Sequence, residues 1–302
     1  MTRPPPHAPS ADAPLCAAFD PHPRKPRVAT PRSACDCHAH ICGPIERHPY
    51  SERRVYTPPD APLAAYRHML DRLGVERAVL VQPSVYGSDN AVMLQAMANM
   101  GERCRGVAVV DDDISDAELA RLHAAGVRGV RVNVVDVAVA KGVIAMAPLA
   151  RLASRIKPHG WHVEFLMHAD EFPDLDRTFA DFPVDIVLGH LGYMRSDKGV
   201  GEPGFQALLR LMRRGRAWVK LTGPYRISTQ ALPHRDTIPY AHALLAAAPE
   251  RVVWGSDWPH VMVKGAMPND GDLMDLLPDW VPDASVREQV LVRNPAKLYG
   301  FP

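Results

Sequence analysis

Two histidines separated by one residue, in the segment Asp36-Cys37-His38-Ala39-His40, have types and spacing that could do chemistry. Side chains alternate between the two faces of an extended strand, so His38 and His40 point in the same direction. Two adjacent imidazoles can ligate a metal ion or polarise a carbonyl group. Because His-x-His is a weak signal by itself, its meaning depends on which other polar side chains the fold brings beside it.

Other polar side chains follow predicted strands at their carboxyl ends. His168 and His190 follow the fifth and sixth strands, and Asp257 follows the eighth, with His260 three residues later. An aspartate in a partly desolvated pocket can act as a general base toward water. Imidazoles, alone or through a divalent ion, can polarise a carbonyl group and stabilise the resulting oxyanion. The set therefore predicts hydrolysis of an ester, lactone or amide.

Arginines, tyrosines and a serine on the loops after the strands indicate how a substrate could be held. A guanidinium group binds a carboxylate in a fork, so these residues favour a small carboxylated substrate, although any single arginine could instead form a salt bridge at the rim. The substrate-binding candidates are Tyr56, Ser84, Tyr86, Arg131, Tyr193, Arg226 and His260.

The elements that must position these side chains alternate between short apolar strands and helices. Strands are predicted at 33–38, 77–82, 105–110, 127–133, 161–167, 184–188, 217–221 and 251–255. Helices are predicted at 63–73, 90–100, 115–125, 146–156, 173–180, 205–213, 238–248 and 285–291. Near-continuous apolar strands are typical of a parallel sheet buried on both faces. Eight such units predict an α/β protein with a (β/α)8 barrel, whose active site lies at the carboxyl ends of the strands.

An open doubly wound sheet is the structural alternative. It would place a glycine-rich phosphate-binding turn directly after the first strand. The residues there read HAHICGP, which do not form that turn. The barrel is therefore favoured, over residues 34–302, and a Pro/Ala-rich N-terminal arm is predicted over 1–33 because proline excludes helix and inner strand.

Composition narrows the function classes. A formal charge of +1 gives no reason to expect a nucleic acid or an anionic membrane as a partner. No apolar run reaches the ~20 residues of a membrane span, and the first residues lack a signal-peptide pattern. The five cysteines show no disulfide framework, so we expect buried thiols and a cytoplasmic location. The oligomeric state is left open.

The chain resembles the amidohydrolase superfamily, and within it the 2-pyrone-4,6-dicarboxylate lactonase group. The segments DCHAHICGP, VLVQPSVYGSDN, VWGSDWPH and VRNPAKLYGF carry the resemblance, which extends from Ala34 to Phe301. It implies a distorted (β/α)8 barrel. It also implies that Asp257 activates water and passes the proton to the leaving oxygen. Three histidines would polarise the lactone carbonyl: His38, His40 and His190. Four residues would hold carboxylates or ring oxygens: Tyr56, Ser84, Arg131 and Arg226.

The sequence departs from the lactonase pattern at three positions. A second arginine expected shortly after Arg131 is missing, Tyr193 replaces an expected arginine, and Leu166 replaces an expected tyrosine. With fewer cationic groups, a muconolactone or sugar-acid lactone is as reasonable a substrate as the pyrone dicarboxylate.

Two questions stay open at this stage. The pyrone lactonases work without a metal, whereas mononuclear members of the superfamily use a set that here would be His38, His40, His168, His190 and Asp257. The cofactor is therefore either none or one Zn²⁺ or Mn²⁺. The alternatives to lactone hydrolysis are a metal-dependent decarboxylase of an aromatic or muconic acid and a lactone isomerase.

Overall fold

The computed structural model describes residues 13–135 and 143–302. Eight parallel strands lie side by side in the order of the sequence. Their bounds are β1 (Cys35–Ala39), β2 (Arg77–Val81), β3 (Cys104–Ala108), β4 (Val127–Asn133), β5 (His162–Leu166), β6 (Ile186–Leu188), β7 (Ala217–Leu221) and β8 (Val252–Trp254). This confirms the predicted parallel barrel.

The barrel closes between β8 and β1 just beyond the end of β8. Ala39 forms a parallel bridge with Trp258. The backbone amide of His40 donates to the Trp258 carbonyl, and the amide of Asp257 donates to the His38 carbonyl, both over 2.8 Å. The closing hydrogen bonds of the barrel therefore run through the residues on which the predicted chemistry depends.

Eleven α-helices are assigned in the described residues. Their bounds are α1 (Leu63–Leu73), α2 (Ala91–Met100), α3 (Asp116–Ala124), α4 (Met146–Ile156), α5 (Leu175–Thr178), α6 (Pro203–Arg213), α7 (Ile238–Ala247), α8 (Asp270–Met274), α9 (Leu277–Trp280), α10 (Ala284–Glu288) and α11 (Asn294–Tyr299). None of them has the length and apolar composition needed to cross a bilayer.

Side chains accept backbone amides at the starts of α3, α6, α8 and α10. The Ser115 hydroxyl accepts a hydrogen bond from the Glu118 amide over 3.1 Å and so caps the first turn of α3. The predicted helix 285–291 is wrong in its extent, because a π-helical turn at Gln289–Arg293 separates α10 from α11. The short helices α8 and α9 were not predicted, since neither spans two turns of apolar periodicity.

A β-bulge in β1 determines which way the side chains of His38 and His40 point. Asp36 pairs with Ala78 of β2 and Ala39 with Leu80, so β1 carries one more residue than β2 in this interval. An extra residue shifts the alternation of side chains by one position. Cys37 can then face the barrel floor while the next residue, His38, also faces the interior.

The barrel floor is an apolar cluster sealed by the end of the chain. Cys35 and Cys37 pack there with Trp218, and Tyr299 and Phe301 close the bottom. The cysteines are free thiols, four of them buried, which confirms the expectation of buried thiols. Just above this floor the interior is polar, because charged side chains of the strands lie there.

The part of the N-terminal arm that the structure describes lies against the barrel. Leu15 forms a bridge with Thr57, and the Phe19 ring lies 4.7 Å from the Trp258 ring between centroids. Arg27 donates to Asp275 over 2.8 Å. Residues 1–12, which include His7, lie outside the described residues. The described arm thus supports Trp258, the residue at the barrel closure.

His162 is a buried imidazole in the lower half of the barrel. Its two ring nitrogens have no hydrogen-bond partner, and its ring meets the Tyr299 ring edge-on at 5.4 Å between centroids. Burial lowers the pKa of His162 from 6.5 to about 4, although the nearby Glu164 carboxylate acts in the opposite direction. At a pH between these two pKa values, His162 is therefore protonated in the unfolded chain and neutral in the folded chain.

We predict that His162→Leu makes the protein less sensitive to acid. Between about pH 7.5 and about pH 5, protonation of His162 in the unfolded chain should remove about 2 kcal/mol of the wild-type free energy of unfolding. Urea unfolding at both pH values measures this loss in wild type and variant. The exposed His68 on α1 supplies the control, His68→Leu. An equal loss in wild type and His162→Leu would contradict the prediction.

Candidate active site

Three histidines and an aspartate converge at the carboxyl ends of the strands. His38 and His40 lie 5.0 Å apart between ring centroids, and His38 and His190 lie 5.4 Å apart. The His38 Nε2 atom is 3.6 Å from Asp257 Oδ1. All four side chains are buried, with at most 3% of each residue exposed. The fold thus brings the predicted catalytic residues of β1, β6 and β8 into one cluster.

The two oxygens of the Asp257 carboxylate have different surroundings. Oδ2 accepts hydrogen bonds from the Tyr225 hydroxyl and from Arg226 Nε, each over 2.6 Å. Oδ1 is buried and has no hydrogen-bond partner among the described residues, although it lies beside His38. The backbone at Asp257 has φ +67°, a left-handed conformation that is uncommon for a residue with a side chain. Oδ2 is therefore held in place by two donors, whereas Oδ1 accepts no hydrogen bond from the described residues.

Opposing effects act on the pKa of Asp257. Burial would raise it, but the Arg226 guanidinium and the neighbouring imidazoles of His190 and His38 hold it well below its usual range. The carboxylate is therefore ionised at neutral pH. A water molecule at Oδ1 would meet a full negative charge with no competing donor.

The other two histidines present hydrogen-bond acceptors to the cluster. The Nδ1 atom of His40 lies 2.7 Å from the Val81 carbonyl, and Nδ1 of His190 lies 3.4 Å from the Thr222 carbonyl. A carbonyl only accepts, so the hydrogen in each contact belongs to Nδ1. Burial lowers the pKa of His40 to about 4 and that of His190 to about 3, so both rings are neutral at pH 7. Each neutral ring then exposes a lone pair on Nε2.

A buried ion pair lies behind His38. Lys220 Nζ on β7 donates to Glu164 Oε2 on β5 over 2.5 Å and to the Cys37 carbonyl over 2.8 Å. The Nδ1 atom of His38 is 3.2 Å from Lys220 Nζ and 3.3 Å from Glu164 Oε1. The ring of His38 is therefore held by two opposite charges. Burial, and next to it the Lys220 charge, lowers the pKa of His38 well below its usual value.

The donor set fits a single divalent ion in part. His38, His40 and Asp257 each offer one ligand atom within 4.8 Å of the others, and His38 Nε2 and Asp257 Oδ1 have no partner. His168 and His190, which complete the set implied by the resemblance, do not belong to this group in the part of the chain that the structure describes. Such an ion would supply Lewis-acid polarisation of a carbonyl oxygen.

A small cavity opens beside the cluster. Among the seven predicted substrate-binding residues, the structure places four on its wall: Tyr56, Arg131, Tyr193 and Arg226. Leu166, which stands where the lactonase pattern has a tyrosine, also lines it. His168 does not: its Nδ1 pairs with the Tyr193 carbonyl over 2.5 Å, and its ring lies 4.5 Å from that of Tyr193.

The structure places the other three candidates away from the wall of this cavity. Ser84 begins a 3₁₀ turn after β2, and Tyr86 at its end is buried with its hydroxyl accepting the Gly43 amide over 2.8 Å. His260 is fully buried, with Nδ1 3.0 Å from the Tyr225 hydroxyl. A histidine three residues beyond Asp257 cannot be assigned from spacing alone, because the turn after β8 decides which side it faces.

The sequence did not predict which side chains form hydrogen bonds and ion pairs with these residues. Tyr225 contacts Asp257, Asp270 contacts His260, and Lys220 pairs with Glu164. Lys220 and Glu164 do carry a signal, since each is a charged residue inside an otherwise apolar strand. A charge on such a strand is buried and needs a partner across the barrel. Asp270 carries no comparable signal.

Parallel strands that close into a barrel, with histidines and an aspartate at their carboxyl ends, define an enzyme of the (β/α)8 class. Residues 35–301 match the family model described as amidohydrolase. The chain belongs to the amidohydrolase family.

Three relatives cover nearly the whole chain. A 2-pyrone-4,6-dicarboxylate hydrolase of Comamonas testosteroni is 39% identical over 92% of this chain and 93% of its own length. A 4-sulfomuconolactone hydrolase of Rhizobium radiobacter is 37% identical over 90% and 91%. A D-galactarolactone isomerase of Agrobacterium fabrum is 30% identical over 91% and 93%. The predicted family and the predicted kinship with lactone enzymes are confirmed.

Solved structures of other proteins are also similar to this chain. A putative 2-pyrone-4,6-dicarboxylic acid hydrolase of Pseudomonas putida is 33% identical, with a TM-score of 0.79 over 90% of this chain and 99% of that one. A 5-carboxyvanillate decarboxylase of Sphingomonas paucimobilis is 14% identical, with a TM-score of 0.56 over 90% and 100%. At that identity the decarboxylase shares the fold alone, and the decarboxylase alternative gains no support from it.

We predict that Gly223→Ala damages this site. The added carbon would lie 2.6 Å from Asp257 Oδ2 and 2.9 Å from His190 Nδ1, at a φ of +53°. Misplacing the base should lower kcat about a hundredfold. Gly189→Ala is the matched control, because the carbon added beside His190 meets nothing within 4 Å. Steady-state kinetics of both variants measure the effect, and equal rates would rule out this packing constraint.

Proposed function

We propose that the protein hydrolyses a carboxylated lactone, with Asp257 activating the attacking water. The observation that carries this proposal is the difference in surroundings between the two oxygens of the Asp257 carboxylate. Oδ2 is fixed by two donors, while Oδ1 is bare and buried beside His38. A general base needs an ionised acceptor in a defined position, with room for a water molecule.

The proposed reaction begins when water loses a proton to Asp257 Oδ1 and attacks the carbonyl carbon of the lactone. The carbon–oxygen bond of the ring then breaks, and Asp257 returns the proton to the departing ring oxygen. The products are a hydroxy acid, or its keto tautomer, and the regenerated carboxylate. Protons and atoms balance without a co-reactant.

The carbonyl oxygen needs a positive or hydrogen-bond-donating neighbour. Neutral His40 and His190 present lone pairs on Nε2, so in that state they cannot donate to it. Arg131 lies on the cavity wall, where its guanidinium group donates from Nη1 to the Gln82 carbonyl over 3.0 Å. Polarisation would come from Arg131, from a protonated imidazole, or from an ion held by His38, His40 and Asp257.

The charge of the cavity supports an anionic substrate. A carboxylate with a very low pKa is a weak base, and Arg226 is the main cationic cause of that low pKa. A substrate carboxylate that binds Arg131 or Arg226 would offset their charge and raise the proton affinity of Asp257. The negative charge of the substrate would thus make Asp257 a stronger base. The free thiols fit the cytoplasmic location that we propose for the enzyme.

The substrate is tested by a screen of pyrone carboxylates, muconolactones and sugar-acid lactones, run with and without a chelator. Elemental analysis of the purified protein accompanies it. Turnover that survives chelation, in protein without stoichiometric metal, would assign polarisation to the chain's own cations. Turnover that depends on a bound metal would assign it to the His38, His40 and Asp257 group. If no carboxylated lactone is opened, the proposal is wrong.

Asp257→Asn should abolish turnover and leave KM nearly unchanged. The amide keeps the size of the carboxylate but cannot accept a proton, so kcat should fall at least about a thousandfold. Steady-state kinetics measure the loss, and thermal unfolding checks that the variant is folded. A folded variant that keeps more than about a tenth of the wild-type kcat would remove Asp257 from the role of base.

Lactone isomerisation is the second candidate, because one relative is named as an isomerase. It needs the same activated carbonyl but uses a hydroxyl of the substrate in place of water. We predict that turnover in H₂¹⁸O places one labelled oxygen in the product carboxylate, measured by mass spectrometry. Product formed without label would favour the isomerase.

A further inference from the structure

A chain of hydrogen bonds runs from the proposed base to a second buried carboxylate. Asp257 Oδ2 is 2.6 Å from the Tyr225 hydroxyl, which is 3.0 Å from His260 Nδ1. The other ring nitrogen of His260, Nε2, is 3.1 Å from Asp270 Oδ1. Four side chains from three segments therefore form one continuous path away from the cavity.

The far end of this path is sealed. His260 is 0% and Asp270 1% exposed, and neither lines the cavity beside the cluster. Asp270 Oδ2 is buried, and no residue that the structure describes donates a hydrogen bond to it. The pair therefore touches neither substrate nor solvent, although burying two ionisable groups costs free energy. Its contact on the side of the active site is the Tyr225 hydroxyl.

The hydrogens along the path can be counted. Tyr225 has one hydroxyl hydrogen, and the ionised Asp257 can only accept it. The Tyr225 oxygen can then only accept from His260, so the hydrogen in that contact lies on Nδ1. The contact between His260 Nε2 and Asp270 Oδ1 needs a hydrogen as well. One hydrogen therefore lies between His260 Nδ1 and the Tyr225 oxygen, and another lies between His260 Nε2 and Asp270 Oδ1.

With a single hydrogen on the His260 ring, the path would be arranged differently. The single hydrogen of His260 would lie on Nε2, facing Asp270, and Nδ1 would become an acceptor. The Tyr225 hydroxyl would turn to His260, and Asp257 Oδ2 would keep only Arg226 as a donor. The hydrogen on His260 Nδ1 thus keeps the Tyr225 hydroxyl directed at Asp257 Oδ2.

We propose that His260 and Asp270 form a positioning pair for the base, which fixes the Tyr225 hydroxyl on Asp257 Oδ2 and so keeps Oδ1 as the oxygen that meets water. This role rests on the proposed function of Asp257. It differs from the substrate-binding role predicted for His260 from the sequence.

The first test is independent of any substrate. Protein labelled with ¹⁵N-histidine is studied by NMR, and the His260 signals are assigned by their absence from a His260→Gln sample. We expect a hydrogen on Nδ1 of His260 at neutral pH. A ring with its hydrogen on Nε2 alone would overturn the proton count and the proposal. Because no turnover is needed, this result stands even if no lactone is found.

The second test uses two matched variants of His260. The amide nitrogen of His260→Asn can take the place of Nδ1 and donate to Tyr225, but asparagine is too short to reach Asp270. The amide of His260→Gln takes the place of Nε2 and reaches Asp270, but leaves Tyr225 without a donor. We expect His260→Gln to lower kcat about tenfold with little change in KM, and His260→Asn to keep most of the wild-type kcat.

A purely structural role would lower kcat equally in both variants, and this outcome would overturn the proposal. Adding Tyr225→Phe sharpens the test: in that background His260→Gln should cost nothing further in kcat, whereas additive losses would also overturn it. If a variant does not fold, the NMR result on the wild-type protein decides.

Discussion

The buried ion pair of Lys220 and Glu164 is the interaction on which the rest of the site depends. Both charges lie inside the barrel with at most 2% of either residue exposed. Removing one partner of such a pair leaves an uncompensated charge and costs about 3–5 kcal/mol. The pair spans β5 and β7, and through the Cys37 carbonyl and the His38 ring it also reaches β1. It is the polar layer between the apolar floor and the chemistry above it.

From this layer upward, backbone geometry determines which way each side chain faces. The bulge in β1 turns His38 inward, and the hydrogen bonds that close the barrel are made by His38, His40 and Asp257 themselves. Gly223 leaves the space that Asp257 and His190 fill. The site is therefore a part of the barrel closure, and a change in strand register would move every member of the cluster together.

The sequence predicted the barrel, most element bounds and the four residues at the centre, because these follow from apolar periodicity and from polar residues at strand ends. It could not predict which neighbours those residues contact. The position of Asp270 depends on the path between β8 and α8, and no periodicity describes an irregular segment of that kind. His260 shows the same limit, because its type and place were evident but the turn after β8 directs it inward, toward Asp270.

The charges around the cluster constrain its chemistry more tightly than any single residue. Neutral imidazoles with exposed lone pairs and one ionised carboxylate leave the centre rich in acceptors, while Arg131 and Arg226 stand at its edge. An electrophilic carbonyl that carries a carboxylate nearby satisfies both regions at once: its carbon meets the activated water, and its charge meets the guanidinium groups. A neutral ester would offer no charge to Arg131 or Arg226 and would leave the Asp257 carboxylate weakly basic. The same electrostatics that hold Asp257 ionised therefore also favour an anionic substrate.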